Sequence, residues 1–189
     1  LYTDTEERKM ATITGFIEKI KFRNEENGYT VLSVTDQSDG DEVIMVGTLS
    51  YAAEGDMIQA SGRMIEHPVY GEQLQIESYE MKTPQDAESM ERYLGSGAIK
   101  GIGIKMAQAI FSRFGMDTLE VIEHTPEKLL AIRGISEKKL EEITESFQKN
   151  QTFRELMIFL APFQVSPKKV QKILLEFGSD ALQIIRQRP

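Results

Sequence analysis

The sequence contains no cysteine, which excludes a disulfide framework and thiol chemistry. It has no apolar run near the length of a transmembrane helix and no signal-peptide pattern, so we expect a cytoplasmic protein with no membrane partner. An excess of basic charge is also missing. The formal net charge is −8, which argues against a simple polycation that coats nucleic acid.

Signatures of catalysis are missing as well. The glycine-rich stretch Gly95–Gly101 superficially resembles a Walker A loop, but Lys100 precedes the last glycine and neither Ser nor Thr follows it. No group of Asp, Glu and His has the pattern that a metal-dependent nuclease needs. We therefore expect no catalytic residue, no metal and no cofactor in this chain, and no ATPase activity of its own.

The acidic charge lies in the first half of the chain. Residues 1–84 contain 7 Lys+Arg against 16 Asp+Glu, whereas residues 85–189 contain 15 against 14. If the chain binds a polyanion, the second half is the better platform.

The first half predicts short strands separated by turns. Alternating apolar residues favour five strands, and Gly15 suggests a bulge or bend in the first of them. The predicted strands are Ile13–Phe22, Tyr29–Thr35, Glu42–Leu49, Met57–Glu66 and Glu72–Lys82. This pattern predicts a small five-stranded β-barrel at residues 11–83, OB-like in our preferred interpretation, with an SH3-like barrel or an open meander as alternatives. Residues 1–10 are polar and aperiodic, and we expect a disordered lead-in or residues left from cloning.

The aromatic residues of these strands have two interpretations. Aromatic rings on a small barrel can stack nucleic-acid bases, but strand aromatics more often fill the core. The set is Phe16, Phe22, Tyr29, Tyr70 and Tyr79. Since the first half is acidic, we expect protein docking or a scaffold role at least as readily as contact with a single strand.

The second half predicts an all-α domain at residues 84–189, so the chain as a whole is α+β in two domains. Gly101-Ile102-Gly103 joins two segments with helical periodicity. Glycines at a tight turn let a phosphate approach the main chain, and the helix that follows leaves its first N–H groups pointing outward. Lys100 and Lys105 add positive charge. This is the pattern of a helix-hairpin-helix phosphate clamp.

A second copy follows about thirty residues later. Gly134 and Ile135 repeat the turn, Ser136 replaces the second glycine, and Ser is a good N-cap for the next helix. Arg133, Lys138 and Lys139 supply the charge. A third copy at residues 159–178 lacks the hairpin glycines, and we expect it to be structural, although Ser166-Pro167 within it is a strong helix start.

Further helices are predicted around these turns. They are a helix capped by Asp86 that reaches Tyr93, then Phe153–Leu160, Pro167–Phe177 and Asp180–Gln187. Residues 116–118 and 123–126 are predicted connectors.

These residues together resemble the N-terminal region of a RecD-like ATP-dependent DNA helicase of the long bacterial form, an exodeoxyribonuclease V alpha-subunit-like protein. The resemblance rests on Gly15, on the segments at residues 27–31, 53–56 and 67–73, on Gly62, and on the tandem hairpins. It implies a five-prime to three-prime motor C-terminal to this chain, which would bind ATP and Mg. It also implies roles in DNA repair and recombination, and single-stranded or forked DNA as partner.

Two rival functions stay open at this point. A RuvA-like junction-binding protein also joins a small barrel to tandem hairpins. A protein-interaction module could carry hairpins that no longer bind DNA. Salt dependence of binding separates DNA binding from protein interaction, since affinity for phosphates falls steeply as salt rises.

Overall fold

The structure, a computed structural model, describes residues 9–49 and 51–188. Most of the predicted lead-in at residues 1–10 lies outside these residues. The described chain forms two compact units, one ending at Lys82 and the other containing all residues from Thr83 onward.

The first unit is a closed barrel of five strands: β1 (Met10–Arg23), β2 (Tyr29–Asp36), β3 (Glu42–Thr48), β4 (Met57–His67) and β5 (Gly71–Lys82). The strands close in the order β1-β2-β3-β5-β4, and all pairs are antiparallel except β3 with β5. The predicted OB-like barrel is confirmed, and the open meander is excluded because β1 pairs with both β2 and β4.

The barrel interior is filled by one face of each strand. On β2, Thr30, Leu32 and Val34 are fully buried, at alternate positions as the pleat requires. Ile17, Met45, Ile58 and Leu74 complete a continuous apolar core from the other strands.

Gly15 does not form a bulge. It pairs regularly with Asp36 on β2 and with Ile58 on β4, and the irregularities of β1 lie further along, between Ile17 and Lys19 and between Ile20 and Phe22. A Cβ atom at Gly15 would lie 2.0 Å from the main-chain oxygen of Thr35. The predicted bulge is therefore wrong: glycine is present because β2 approaches β1 too closely for any side chain.

The second unit is all helical. It contains α1 (Ala87–Gly95), α2 (Ile104–Phe114), α3 (Thr118–His124), α4 (Glu137–Leu160), α5 (Pro167–Phe177) and α6 (Ala181–Gln187). Short 3₁₀ turns occupy residues 115–117, 126–131, 161–163 and 178–180. Within the described residues, none of these helices has the length and apolar character to cross a membrane.

Two helix predictions need correction. The helix expected to begin at Phe153 is the second half of α4, which runs for 24 residues without interruption, because no Gly or Pro breaks it. The predicted connectors are shorter than expected, since Thr118, Glu123 and His124 all belong to α3.

The hairpins are held by an apolar cluster drawn from α1 to α4. Leu94, Ile110, Ile122 and Ile143 are fully or almost fully buried in it. Asp86 caps α1 as predicted: its carboxylate accepts a 2.8 Å bond from the Ser89 main-chain N–H and a 2.9 Å bond from the Ser89 hydroxyl.

Candidate functional site

The first two hairpins have the same backbone geometry. Gly101 and Gly134 both adopt left-handed conformations, with φ of 95° and 98°. The next residue closes each turn, because the N–H of Ile102 donates to the Ile99 oxygen at 3.3 Å and that of Ile135 to the Ile132 oxygen at 3.2 Å. The side chains of Ile102 and Ile135 are buried, so these residues anchor the turns, and their N–H groups are already bonded.

Gly101 forms the turn of the first hairpin, and there is little space beside its Cα atom for a side chain. A Cβ atom there would lie 3.1 Å from Cγ1 of Ile143 and 3.5 Å from side-chain atoms of Glu142 and Lys139. Together with its positive φ, this crowding makes glycine necessary for packing the first hairpin against α4.

Gly103 is the open position of the first hairpin. Among the residues that the structure describes, a Cβ atom there would meet nothing within 4 Å, and its φ of −93° is available to any residue. Gly103 is the N-cap of α2 but offers no side chain to the helix, and the first turn of α2 contains no acidic residue. In the part of the chain that the structure describes, the N–H groups of Ile104, Lys105 and Met106 have no acceptor.

This arrangement favours an anion. Unbonded N–H groups at a helix start and the helix dipole both attract negative charge. The exposed side chain of Lys105 lies in the same turn. The side chain of Lys100 is exposed as well, although its N–H group already donates to Oγ of Ser146 at 2.9 Å.

The second hairpin offers less to an anion. Oγ of Ser136 accepts a 3.2 Å bond from the N–H of Lys139, and Glu137 places a carboxylate in the first turn of α4. Gly134 is exposed, and a Cβ atom there would meet only Met106, at 3.7 Å. The two turns therefore share their backbone geometry, but the start of α4 attracts an anion less strongly than the start of α2.

The predicted cations surround both turns. None of them forms an ion pair with another side chain within residues 9–49 and 51–188. They are Lys100, Lys105, Arg133, Lys138 and Lys139, of which only Lys139 is partly buried. Their charge is available to a ligand.

Two residues of α4 that the sequence did not single out hold the first hairpin in place. Ser146 accepts the bond from Lys100, and Nδ2 of Asn150 donates to the oxygen of Ala98 at 2.8 Å. Since their partners lie 46 and 52 residues away in the chain, no local pattern could have indicated them.

The aromatic residues of the barrel separate into two groups. Phe16 is buried and Tyr79 is half-buried, where its ring lies 5.9 Å from that of Tyr51 and burial raises the pKa of its hydroxyl. Phe22, Tyr29 and Tyr70 are 54, 42 and 72% exposed. The expectation that the rings fill the core therefore applies to only part of the set.

The exposed rings line one groove of about 530 Å³ on the outside of the barrel. His67 shapes one wall: its ring lies 4.8 Å from that of Tyr70, and its Nδ1 accepts bonds from the N–H groups of Val69 and Tyr70 at 3.2 Å. Lys21 also lines the groove, but its ammonium lies 3.4 Å from the Glu42 carboxylate. The groove is thus aromatic without being basic.

Comparison with known protein families agrees with this architecture. Residues 10–84 match the family model described as the OB-fold domain of ATP-dependent DNA helicase YrrC. Residues 94–149 match the model described as a SAM-like helix-hairpin-helix tandem. By fold and by these matches, the chain is similar to an accessory region of DNA helicases in which an OB-fold barrel precedes a helix-hairpin-helix tandem.

One relative of known name is similar to almost the whole chain. The chain is 27% identical over 176 residues to the ATP-dependent RecD2 DNA helicase of Deinococcus radiodurans, a match that covers 90% of this chain and 24% of the relative. The chain thus spans about a quarter of the length of the curated relative it matches. The resemblance to the N-terminal region of a RecD-like helicase is confirmed.

Proposed function

We propose that this chain is the N-terminal DNA-binding region of an ATP-dependent five-prime to three-prime DNA helicase, and that it holds the DNA backbone without sequence preference. The observation that carries the proposal is the start of α2, where three N–H groups without acceptors lie beside the unobstructed Gly103.

The first hairpin is the principal phosphate contact in this proposal. A phosphate oxygen can approach the main chain at Gly103 because no side chain stands in the way, and it then accepts from the N–H groups of residues 104–106. Lys100 and Lys105 add charge from either side of the turn. Contacts of this kind go to the sugar-phosphate backbone and so carry no base information.

The second hairpin contributes a weaker contact, mainly through side chains. Because Ser136 occupies one N–H group and Glu137 repels an anion, we assign its contribution to Arg133, Lys138 and Lys139. The helical unit can accept a polyanion, since residues 85–189 carry 15 Lys+Arg against 14 Asp+Glu.

The barrel has a supporting role. Its acidic charge opposes DNA phosphates, so we assign its aromatic groove to docking of protein, in the motor domains or in a partner, rather than to DNA. The motor itself, with its ATP and Mg, would lie C-terminal to this chain, consistent with a relative about four times longer than the matched segment.

Fluorescence anisotropy with a labelled forked DNA tests the proposal. We expect the chain to bind, with the logarithm of its affinity falling linearly as the logarithm of the salt concentration rises, by about 0.7 to 0.9 per phosphate contacted. Circular dichroism of the same sample establishes that the chain is folded.

Two other outcomes would replace the proposal. A folded chain that shows no binding at low salt would instead be a protein-interaction module. A chain that binds a four-way junction far more tightly than a fork would have the RuvA-like function.

A further inference from the structure

The outer face of the barrel is apolar across three neighbouring strands, although the solvent face of an antiparallel sheet is usually polar. Phe22 lies opposite Val31 in register, and Val31 lies opposite Val46. These side chains face outward, because their chain neighbours Leu32 and Met45 fill the barrel core. A contiguous apolar surface of this kind marks a place where another molecule binds.

This face is concave as well as apolar. Val46 and Gln73 line the groove yet are only 6 and 5% exposed, so they form its floor. Tyr29 and Tyr70 are far more exposed and form its walls. The volume of about 530 Å³ falls in the range of sites that hold ligands, roughly 300 to 1,000 Å³. The groove therefore suits a short segment of chain and is too small for a folded domain.

The groove offers no free positive charge. Among the described residues that line it, Lys21 is the one Lys or Arg, and its ammonium is paired with the Glu42 carboxylate. A run of phosphates or an acidic peptide would find no counter-charge there, so neither is favoured as the occupant.

Two carboxylates beside the groove lack a counter-ion. Glu66 and Glu72 lie opposite each other on β4 and β5, both exposed, and neither forms an ion pair in the part of the chain that the structure describes. Their chain neighbours His67 and Gln73 line the groove, and since strand neighbours alternate, the carboxylates lie at its rim. Like charges opposite each other destabilise strand pairing, so a cation at this rim would relieve the repulsion.

We propose that this groove docks an extended segment of a partner protein in which arginine or lysine stands beside proline. Aromatic-lined grooves receive proline-rich segments, which are already extended before they bind. The faces of exposed tyrosine and phenylalanine rings attract cations, those of arginine most often.

The charge of the barrel complements such a segment. Residues 1–84 contain 7 Lys+Arg against 16 Asp+Glu, and Glu66 and Glu72 place two unpaired carboxylates where a basic side chain would leave the groove. The inference rests on the assignment of the barrel to protein docking, and it is independent of phosphate binding at α2.

Two-dimensional amide NMR spectra of this chain, titrated with synthetic peptides, test the groove. The probe is a peptide of about ten residues that alternates proline and arginine, and its control has glutamate in place of each arginine. We expect the arginine peptide to shift amide signals of β2, β3 and the turn between β4 and β5, and to leave those of α2 to α4 unchanged. It should bind at least about tenfold more tightly than the glutamate peptide.

Three variants sharpen the test, and the same spectra report whether each is folded. Tyr70→Ala removes a wall and should weaken binding of the arginine peptide about tenfold or more. Val69→Ala is the matched control, because Val69 is exposed in the same turn but does not line the groove. Glu72→Gln should weaken the arginine peptide about two- to fivefold, as expected for an exposed ion pair. Tyr70→Ala should bind forked DNA like the unchanged chain, which separates this surface from the phosphate site.

Several results would overturn the proposal. One is the absence of shifts in the groove at saturating arginine peptide, and another is equal binding of the glutamate peptide. Tighter binding of a thymidine oligonucleotide to the same residues would make the groove a site for single-stranded DNA. Groove signals that shift as the concentration of the chain alone rises would identify a second copy as the occupant. A peptide that binds this chain but not the intact helicase would assign the groove to the motor domains.

Discussion

Replacing Gly103 by leucine separates DNA binding from folding. The backbone at this position suits any residue, and apart from its two chain neighbours no atom of residues 9–49 and 51–188 would lie within 4 Å of an added Cβ atom. Because glycine is a better N-cap than leucine, we expect Gly103→Leu to lower the free energy of unfolding by about 1 kcal/mol, which leaves the protein folded. The leucine side chain would nevertheless occupy the space through which a phosphate reaches the start of α2.

The expected loss of affinity follows from the bonds that this phosphate makes. A hydrogen bond to a charged group is worth about 1.5 to 3 kcal/mol. Losing one such bond weakens binding by roughly 10- to 100-fold, and losing two weakens it further. The salt slope should fall by about 0.7 to 0.9 for each phosphate that is released.

Anisotropy titrations of Gly103→Leu with forked DNA, at several salt concentrations, measure both quantities. Ser112→Leu is the matched control, because Ser112 is exposed on the same helix away from the turn. If a folded Gly103→Leu protein binds with unchanged affinity and unchanged slope, the start of α2 is not the phosphate site.

Three further predictions concern other parts of the chain. Lys105→Ala should lower affinity for all DNA sequences alike and reduce the salt slope by about 1, whereas Lys172→Ala on α5 should change neither in the same titrations. Gly15→Ala should destabilise the barrel by about 3 kcal/mol or more in urea unfolding, because its Cβ atom would collide with the Thr35 oxygen; an unchanged midpoint would contradict the close approach. Tyr70→Ala should change affinity for single-stranded DNA by less than about twofold, and a larger loss, of about 1 kcal/mol or more, would show that the groove stacks bases.

Strand positions could be predicted well where apolar residues alternate cleanly. The predicted bounds of β2 and β3 differ from the structure by one residue each. The predicted start of β1 lies three residues too late, because Met10 and Ala11 are both apolar and their sequence does not reveal that only Ala11 faces the core. The need for glycine at position 15 could not be predicted from the sequence of β1 alone, because it depends on how closely β2 approaches β1.

The hairpins were predictable from their glycines, but the difference between them was not. Ser136 was expected to cap its helix, and it does. Only the hydrogen bonds show the difference between the two helix starts. The Ser136 cap occupies an N–H group of α4, whereas Gly103 leaves the first N–H groups of α2 without a side-chain partner. The left-handed conformation of Gln164 in the third hairpin could not be predicted, because glycine is the residue that usually adopts it.

The uninterrupted α4 has a mechanical consequence. Its first half packs beneath the first two hairpins, and its second half packs against α5 and α6. At 1.5 Å per residue, its 24 residues form a rod about 36 Å long. This helix links the first two hairpins to α5 and α6 through one continuous element, so a force applied at α5 or α6 would reach the turns at Gly101 and Gly134 without passing through a flexible loop.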